Sequence, residues 1–412
     1  MKEVLIAGGG IIGLMSAYYL ERAGHKVTIV DKHNFLTNCS AGNAGFIVPS
    51  HYVPLAAPGM VWKALKWSLN NKSPFSVQIN LQKERLKWGL EFIKASTVKN
   101  VKNAAPFLFE FNNYSKSLYK ELSQNKGLQL EYKESGLLLL CRSQKVFLEE
   151  MKIANEANKL GIKAIILNQN EVNEFSDGIE FDVCGAVYYP GDASISNNTF
   201  VIGLMKYLEE KNINLIKNSE LTNFSIKAGR IVKAGNINEQ YKFDELVICT
   251  GYQSQKIFKK LNIKTLVQPG KGYSFIHPAP LQVKTPLILV DARVAISPYD
   301  NYTRFGGYMA IGDSENKIKN KRIQGMVESI NKFIPEIELK EPNENKIWSG
   351  MRPCSVDGLP YIGRVKSYKN VIVATGHSMM GVSMAPATGK IIEELISEKP
   401  LSYDIAPFDP ER

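Results

Sequence analysis

The 412-residue sequence predicts an α/β protein in which a Rossmann-like nucleotide-binding domain is interleaved with a second, α+β domain. Three observations predict it. A glycine fingerprint near the N-terminus sits between two strand-like runs; a second strand of the same kind, Leu246 to Gly251, recurs far along the chain; and no low-complexity linker separates the parts. The length suits two to three domains, and 44% hydrophobic with 22% charged residues excludes a disordered or fibrous chain.

The opening residues, MKEVLIAGGGIIGLMSAYYL, superficially imitate a secretory signal, but Glu3, the interrupting glycines and the lack of a small-residue cleavage site oppose that reading. They make better sense as folded protein. Val4 to Ala7 is a short apolar strand, Gly8-x-Gly10-x-x-Gly13 opens a helix reaching Ala23, and Lys26 to Val30 is a second strand ending in Asp31. Gly8 makes the turn, Gly10 admits a pyrophosphate to the backbone, and Gly13 lets helix pack on strand. The helix N-terminus presents unpaired N–H groups to phosphate. Asp31 stands 18 residues after Gly13, near the spacing of about 20 for a carboxylate that binds ribose hydroxyls. The unit binds a dinucleotide, and on these residues alone NAD and FAD both fit.

Ser40 to Ser50 is small and glycine-rich, suited to close backbone approach to a cofactor or to an ordinary loop. From Pro54 to about Leu122 the pattern is amphipathic and helical. Within it, Trp62 to Trp67 mixes aromatics with lysines, which fits a core helix with snorkelling lysines better than a membrane-surface helix. Leu128 to Cys141 reads as strands, Val146 to Leu160 as a helix, Gly185 to Tyr189 as a strand, and Thr199 to Lys211 as a helix. Leu246 to Gly251 returns the chain to the first sheet. A strand-rich stretch, Tyr273 to Ile311, precedes a helix from Lys321 to Phe333. Near the C-terminus the strand Val371 to Ala374 feeds the loop Thr375 to Gly381 and a helix through Ile396, with a kink or late start expected at Pro386. The resulting division assigns 1–50, 191–268 and 345–412 to the nucleotide domain and 51–190 and 269–344 to the substrate domain.

Lys and Arg total 51 against 40 Asp and Glu, a net charge of +11. The lysines are scattered with no basic stripe and no interleaved aromatics, so no nucleic-acid partner is expected, an RNA-modifying role being the alternative that the charge leaves open. Five widely spaced cysteines without a CxxC indicate a reducing compartment and neither a disulfide framework nor a metal site.

Five ordered motifs, GGGIIG, SAGNAGFIVPSHYVPLAAPG, KGYSF, WSGMRPCSVDGLPYIG and ATGHSMMGVSMAPATG, closely resemble the FAD-dependent D-amino acid dehydrogenases and their glycine oxidase relatives over essentially the whole chain. The resemblance implies a mostly antiparallel sheet covering the flavin. It also implies oxidation of an α-amino acid to an imino acid that water hydrolyses, with electrons passed to a quinone or other carrier. Oxygen reduction, as in glycine or sarcosine oxidases, is the alternative. By position, Arg352 matches the arginine that grips the substrate carboxylate, the other reading being an ion pair with Asp357, and Tyr273 matches a pocket-wall aromatic. His51 and His377 are candidates for contact with substrate or flavin. Gly8, Gly10, Ile11, Ile12, Gly13, Asp31, Lys32, Ser40, Asn43, Ala44, Gly45, Leu221, Thr250, Gly251, Gly350, Gly376, His377, Met379, Met380, Gly381 and Val382 match FAD-contacting positions. Some relatives attach FAD to a cysteine where this chain has Gly350, so a noncovalent cofactor is expected. The expected location is cytoplasmic, with peripheral contact at the inner membrane face as a further option.

Overall fold

A computed structural model describes residues 1–60, 70, 72–78, 82–315 and 317–412; the Trp62 to Trp67 piece lies outside them. Two large sheets organise the chain. The first has the order Tyr361–Arg364, Val371–Thr375, Glu245–Ile248, Glu3–Ala7, Lys26–Val30, Asn214–Ile216. Every neighbouring pair in it is parallel except the first. Parallel strands are covered on both faces, which is why Glu3–Ala7 reads as an unbroken apolar run. Val4 and Ile6 pack with the Ile11–Arg22 helix, while Leu5 and Ala7 face a second cluster with Leu246, Ile248 and Val373.

The C-terminal helix, Gly381–Ser397, crosses the first helix so closely that a Cβ on Gly389 would stand 2.7 Å from the Met15 backbone. Of the kink or late start expected at Pro386, the late start does not occur: the helix begins at Gly381 and runs through the proline. Proline lacks the N–H that would reach the carbonyl of Val382 one turn back. Tyr119, on the Val98–Leu122 helix, donates its hydroxyl to that carbonyl at 2.6 Å instead. The acceptor freed by proline is thus satisfied by another helix.

The second sheet has nine strands, ordered Ile347–Cys354, Gln268–His277, Tyr302–Ile311, Val294–Tyr299, Leu287–Leu289, Leu137–Cys141, Gly185–Tyr189, Ile165–Asn168, with Phe75–Val77 paired to Tyr302–Ile311. It is mostly antiparallel. One face carries Phe275, Val294, Ile296 and Phe305 against the Asn320–Phe333 helix. Ile347–Cys354, which the expected 345–412 segment groups with the nucleotide domain, is an edge strand of this second sheet. The stretch expected as strands from Leu128 is a strand only over Leu137–Cys141. Gln129 and Glu131 take φ of 50° and 47°, which breaks any ladder there.

Candidate active site

Between the two sheets lies one elongated cavity of about 990 Å³. At its first end the turn after Glu3–Ala7 is drawn tight. Gly8 has φ +105°, and a Cβ there would sit 2.5 Å from the Cys249 carbonyl oxygen, so only glycine fits. The Asp31 carboxylate accepts from the Gly9 N–H at 2.6 Å and the His33 N–H at 2.7 Å, fixing the glycine turn against the end of the second strand. Ser40 accepts from the Ile11 N–H at 2.9 Å. Lys32 pairs with Glu220 at 3.4 Å beside Leu221.

Gly8, Gly10, Ile11, Ile12, Asp31 and Lys32 line the cavity, as do Ser40, Asn43 and Ala44. Further along are Leu221, Thr250, Gly251 and Gly350, then His377, Met379, Met380, Gly381 and Val382. Three expected positions stand behind the wall. A Cβ on Gly13 would meet the Gly8 carbonyl oxygen at 2.0 Å, one on Gly45 the Ile195 oxygen at 2.3 Å, and one on Gly376 the Tyr361 ring at 2.8 Å. They shape the wall through packing.

The residues present fit a flavin dinucleotide. Trp348 Nε1, Ser349 Oγ and Ser378 Oγ are buried cavity-lining polar atoms with no hydrogen-bond partner, a costly arrangement that a polar ring system would relieve. A Cβ on Gly42 would lie 2.1 Å from the Trp348 indole and one on Gly350 1.9 Å from it, so glycine is required on both sides of that ring. Ser378 falls in the expected Gly376 to Val382 run, whereas Trp348 and Ser349 were not among the expected contacts although they open the WSGMRPC motif.

At the other end stands Arg352. Asp357 does not pair with it, because both Asp357 carboxylate oxygens are held by Arg412 at 2.7 and 2.8 Å. Burial lowers the Arg352 guanidinium from its ordinary value, opposed by the adjoining Cys39 and Cys354 thiols. One of its nitrogens, Nη1, donates to the Tyr308 carbonyl at 3.0 Å. That carbonyl is available because Tyr308 has φ 66° inside a strand, at a bulge where Gly272 stands opposite both Tyr308 and Met309. The Tyr308 ring lies parallel to Tyr273 at 5.1 Å, and Arg322 covers it at 5.3 Å. Nothing in the sequence pattern marks Tyr308, since a tyrosine in a strand is ordinary.

Tyr273 lines the cavity with its ring, while its hydroxyl accepts from the Lys319 N–H at 3.2 Å, and burial pushes the phenol far up. Burial, with the Arg293 charge behind it, pushes His51 down to about 4. Burial alone takes His377 to about 3, and its Nε2 lies 3.0 Å from Thr388 Oγ1. The Thr388 hydroxyl donates to Met384 O, so it receives the imidazole N–H and ties the loop to the helix that follows. Both imidazoles are neutral across the physiological range.

A glycine-turn dinucleotide cleft beneath a mostly antiparallel sheet defines a flavin-dependent oxidoreductase. The family model for FAD dependent oxidoreductases, DAO, matches residues 3–395, and the chain belongs to that family. A D-amino acid dehydrogenase of Helicobacter pylori is 29% identical over 396 residues, covering 96% of this chain and 94% of the relative. One from Neisseria meningitidis serogroup C is 27% identical over 405 residues, covering 96% of each. Glycine oxidase from Geobacillus kaustophilus superposes with a TM-score of 0.80 at 20% identity, covering 100% of this chain and 98% of that one. L-proline dehydrogenase from P. horikoshii superposes at 0.74 with 18% identity, covering 100% and 97%. These superpositions establish the shared fold.

Proposed function

We propose that this enzyme oxidises D-amino acids, D-proline and hydroxyproline types included, and passes the electrons to a quinone or another carrier at a peripheral membrane contact. The observation that carries the reading is Arg352, a guanidinium without a carboxylate partner among the described residues, at the end of the dinucleotide cavity. Its relatives' names supply the configuration of the substrate. The guanidinium fork takes the α-carboxylate and so fixes where the Cα–H points.

FAD, bound noncovalently, would supply the acceptor for the Cα hydride. The nitrogen lone pair would close the C=N bond, and water would hydrolyse the imino acid to a 2-oxo acid, a primary amine leaving as ammonia and a ring nitrogen staying on the opened chain. Neither His51 nor His377 serves as a base near neutrality, because burial depresses both. Substrate with a neutral amine is therefore the reactive form, and positioning by Arg352 and the Tyr273 wall carries the catalysis. Trp348, Ser349, Ser378 and the Gly376–Val382 loop would hold the ring system. The test is an anaerobic panel of D-amino acids added to holoprotein, followed by admission of oxygen. Bleaching of flavin absorbance without rapid reoxidation by oxygen is expected. No bleaching by any of them would overturn the reading, and stoichiometric peroxide would make the enzyme an oxidase.

A further inference from the structure

The cavity contains a second guanidinium that the reading above leaves unused. Arg293 lines the same cavity as Arg352 and is exposed within it, and its side chain has no hydrogen-bond or ion-pair partner among the described residues. Its backbone has φ 53°, a left-handed conformation that L-residues rarely adopt. The turn that imposes it is pinned. Asp291 accepts from the Arg142 N–H at 3.0 Å, the Ser143 N–H at 3.2 Å and the Ser143 hydroxyl at 2.5 Å, while the Arg293 N–H donates to Val290 O at 3.3 Å. Arg293 is thus presented by a fixed turn and left unpaired.

Arg352 and Arg293 are separated in the sheet by the Gln268–His277 and Tyr302–Ile311 strands, whose Gly272, Gly306 and Gly307 leave the ground between them bare. Arg352 reaches over Gly272, where a Cβ would stand 2.1 Å from its Nη1, to the Tyr308 carbonyl on the next strand. Beyond Tyr308 come Gly307 and Gly306, and Arg293 immediately precedes Val294, the residue paired with Gly307. The Arg293 carbonyl lies 3.2 Å from where a Gly307 Cβ would be. Arg352 Nη1 thus sits at the Tyr302–Ile311 strand and Arg293 opens the strand beside it, neighbouring strands lying about 4.8 Å apart. Charged groups elsewhere on this part of the wall are few. His51 feels the Arg293 charge and is held neutral, and Glu150 lies toward Tyr52, Tyr189 and Cys141.

We propose that Arg293 is a side-chain subsite for a second carboxylate, making acidic amino acids with a short side chain a preferred substrate class. This rests on the assignment of the α-carboxylate to Arg352. An acidic side chain would gain a charge-assisted hydrogen bond at Arg293, whereas an aliphatic one leaves that cation to water.

The probes are unreactive straight-chain acids, butyrate against succinate and glutarate, titrated into oxidised holoenzyme and followed by the flavin spectrum. Kinetic ratios for D-glutamate or D-aspartate over D-alanine follow in parallel. In the native enzyme the diacids bind more tightly than butyrate. In Arg293→Gln the diacid-to-monoacid affinity ratio falls about tenfold, as loss of one charged hydrogen bond implies, and Arg293→Lys restores part of it. An unchanged ratio in Arg293→Gln, or a native enzyme that binds butyrate as tightly as the diacids, overturns the subsite. If no D-amino acid bleaches the flavin but the diacid ratio still depends on Arg293, the reaction assigned above fails and the subsite stands.

Discussion

At the scale of single residues, Arg352, the arginine proposed to bind the substrate carboxylate, is held by a backbone carbonyl that strand geometry would ordinarily hide. Tyr308 turns that carbonyl out of the ladder, and the Tyr273–Tyr308–Arg322 stack keeps it turned. Arg352→Lys keeps the charge but loses the planar fork, so substrate KM should rise about 10- to 100-fold with FAD still bound, as steady-state kinetics and the flavin spectrum will show. Gly350→Ala should act differently. Its methyl would collide with the Trp348 indole, so the purified variant is expected to lose FAD, read as a fall in the flavin-to-protein absorbance ratio. Arg352, Gly350 and the glycine turn were all legible in the sequence, because each needs one residue type at one place. Tyr308 was illegible because its task falls to its backbone, and Trp348 was overlooked because an indole in a strand also reads as core.

At the scale of elements, two contacts couple segments far apart in the chain. Tyr119→Phe orphans the Val382 carbonyl and should cost about 1–3 kcal/mol by denaturant unfolding. The same change in a Pro386→Ala background should cost less, since alanine restores the N–H that reaches that carbonyl; equal costs would disprove the relay. The second contact is Asp192, buried beneath the loop that carries His51. It accepts from the Ser50 N–H at 3.1 Å and the Ser50 hydroxyl at 2.5 Å. Burial raises its carboxyl to about 7, opposed by the two Ser50 bonds and Lys116. A folded-state value above the ordinary 3.8 means the protonated form fits the fold better. Its stabilising contribution is therefore complete below about 4 and is lost as pH rises through about 7. Asp192→Asn should remove that slope from a plot of unfolding free energy against pH. Periodicity found most of these elements. It failed at Leu128 to Gly136, where positive φ values at Gln129 and Glu131 break the strand, and the late start that proline suggested at Pro386 is absent where another helix supplies the missing donor.

At the scale of the whole molecule, the cofactor site draws on segments from the N-terminal turn to the C-terminal helix, so FAD binding should report on the complete fold. Removing FAD is expected to lower the melting temperature, and adding it back at about 100 times its Kd should recover about 2.7 kcal/mol. A melting temperature indifferent to FAD would mean that the cavity is built without it. The interleaving was legible because Leu246 to Gly251 so closely matches the first strand in character. The edge placement of Ile347–Cys354 was not, since sheet membership is set by partners and not by the strand's own residues.

The order of the first sheet also bears on how the chain is made. Glu3–Ala7 is an inner strand whose neighbour Lys26–Val30 emerges from the ribosome almost at once. Its other neighbour, Glu245–Ile248, exists only after more than half the polypeptide has been synthesised. Throughout that interval the nascent strand presents an apolar, unpaired edge, the kind of surface that invites aggregation or recruits chaperones. Slowing translation before residue 248 should therefore lower the soluble yield, whereas slowing it after residue 375, when all six strands of that sheet are present, should not.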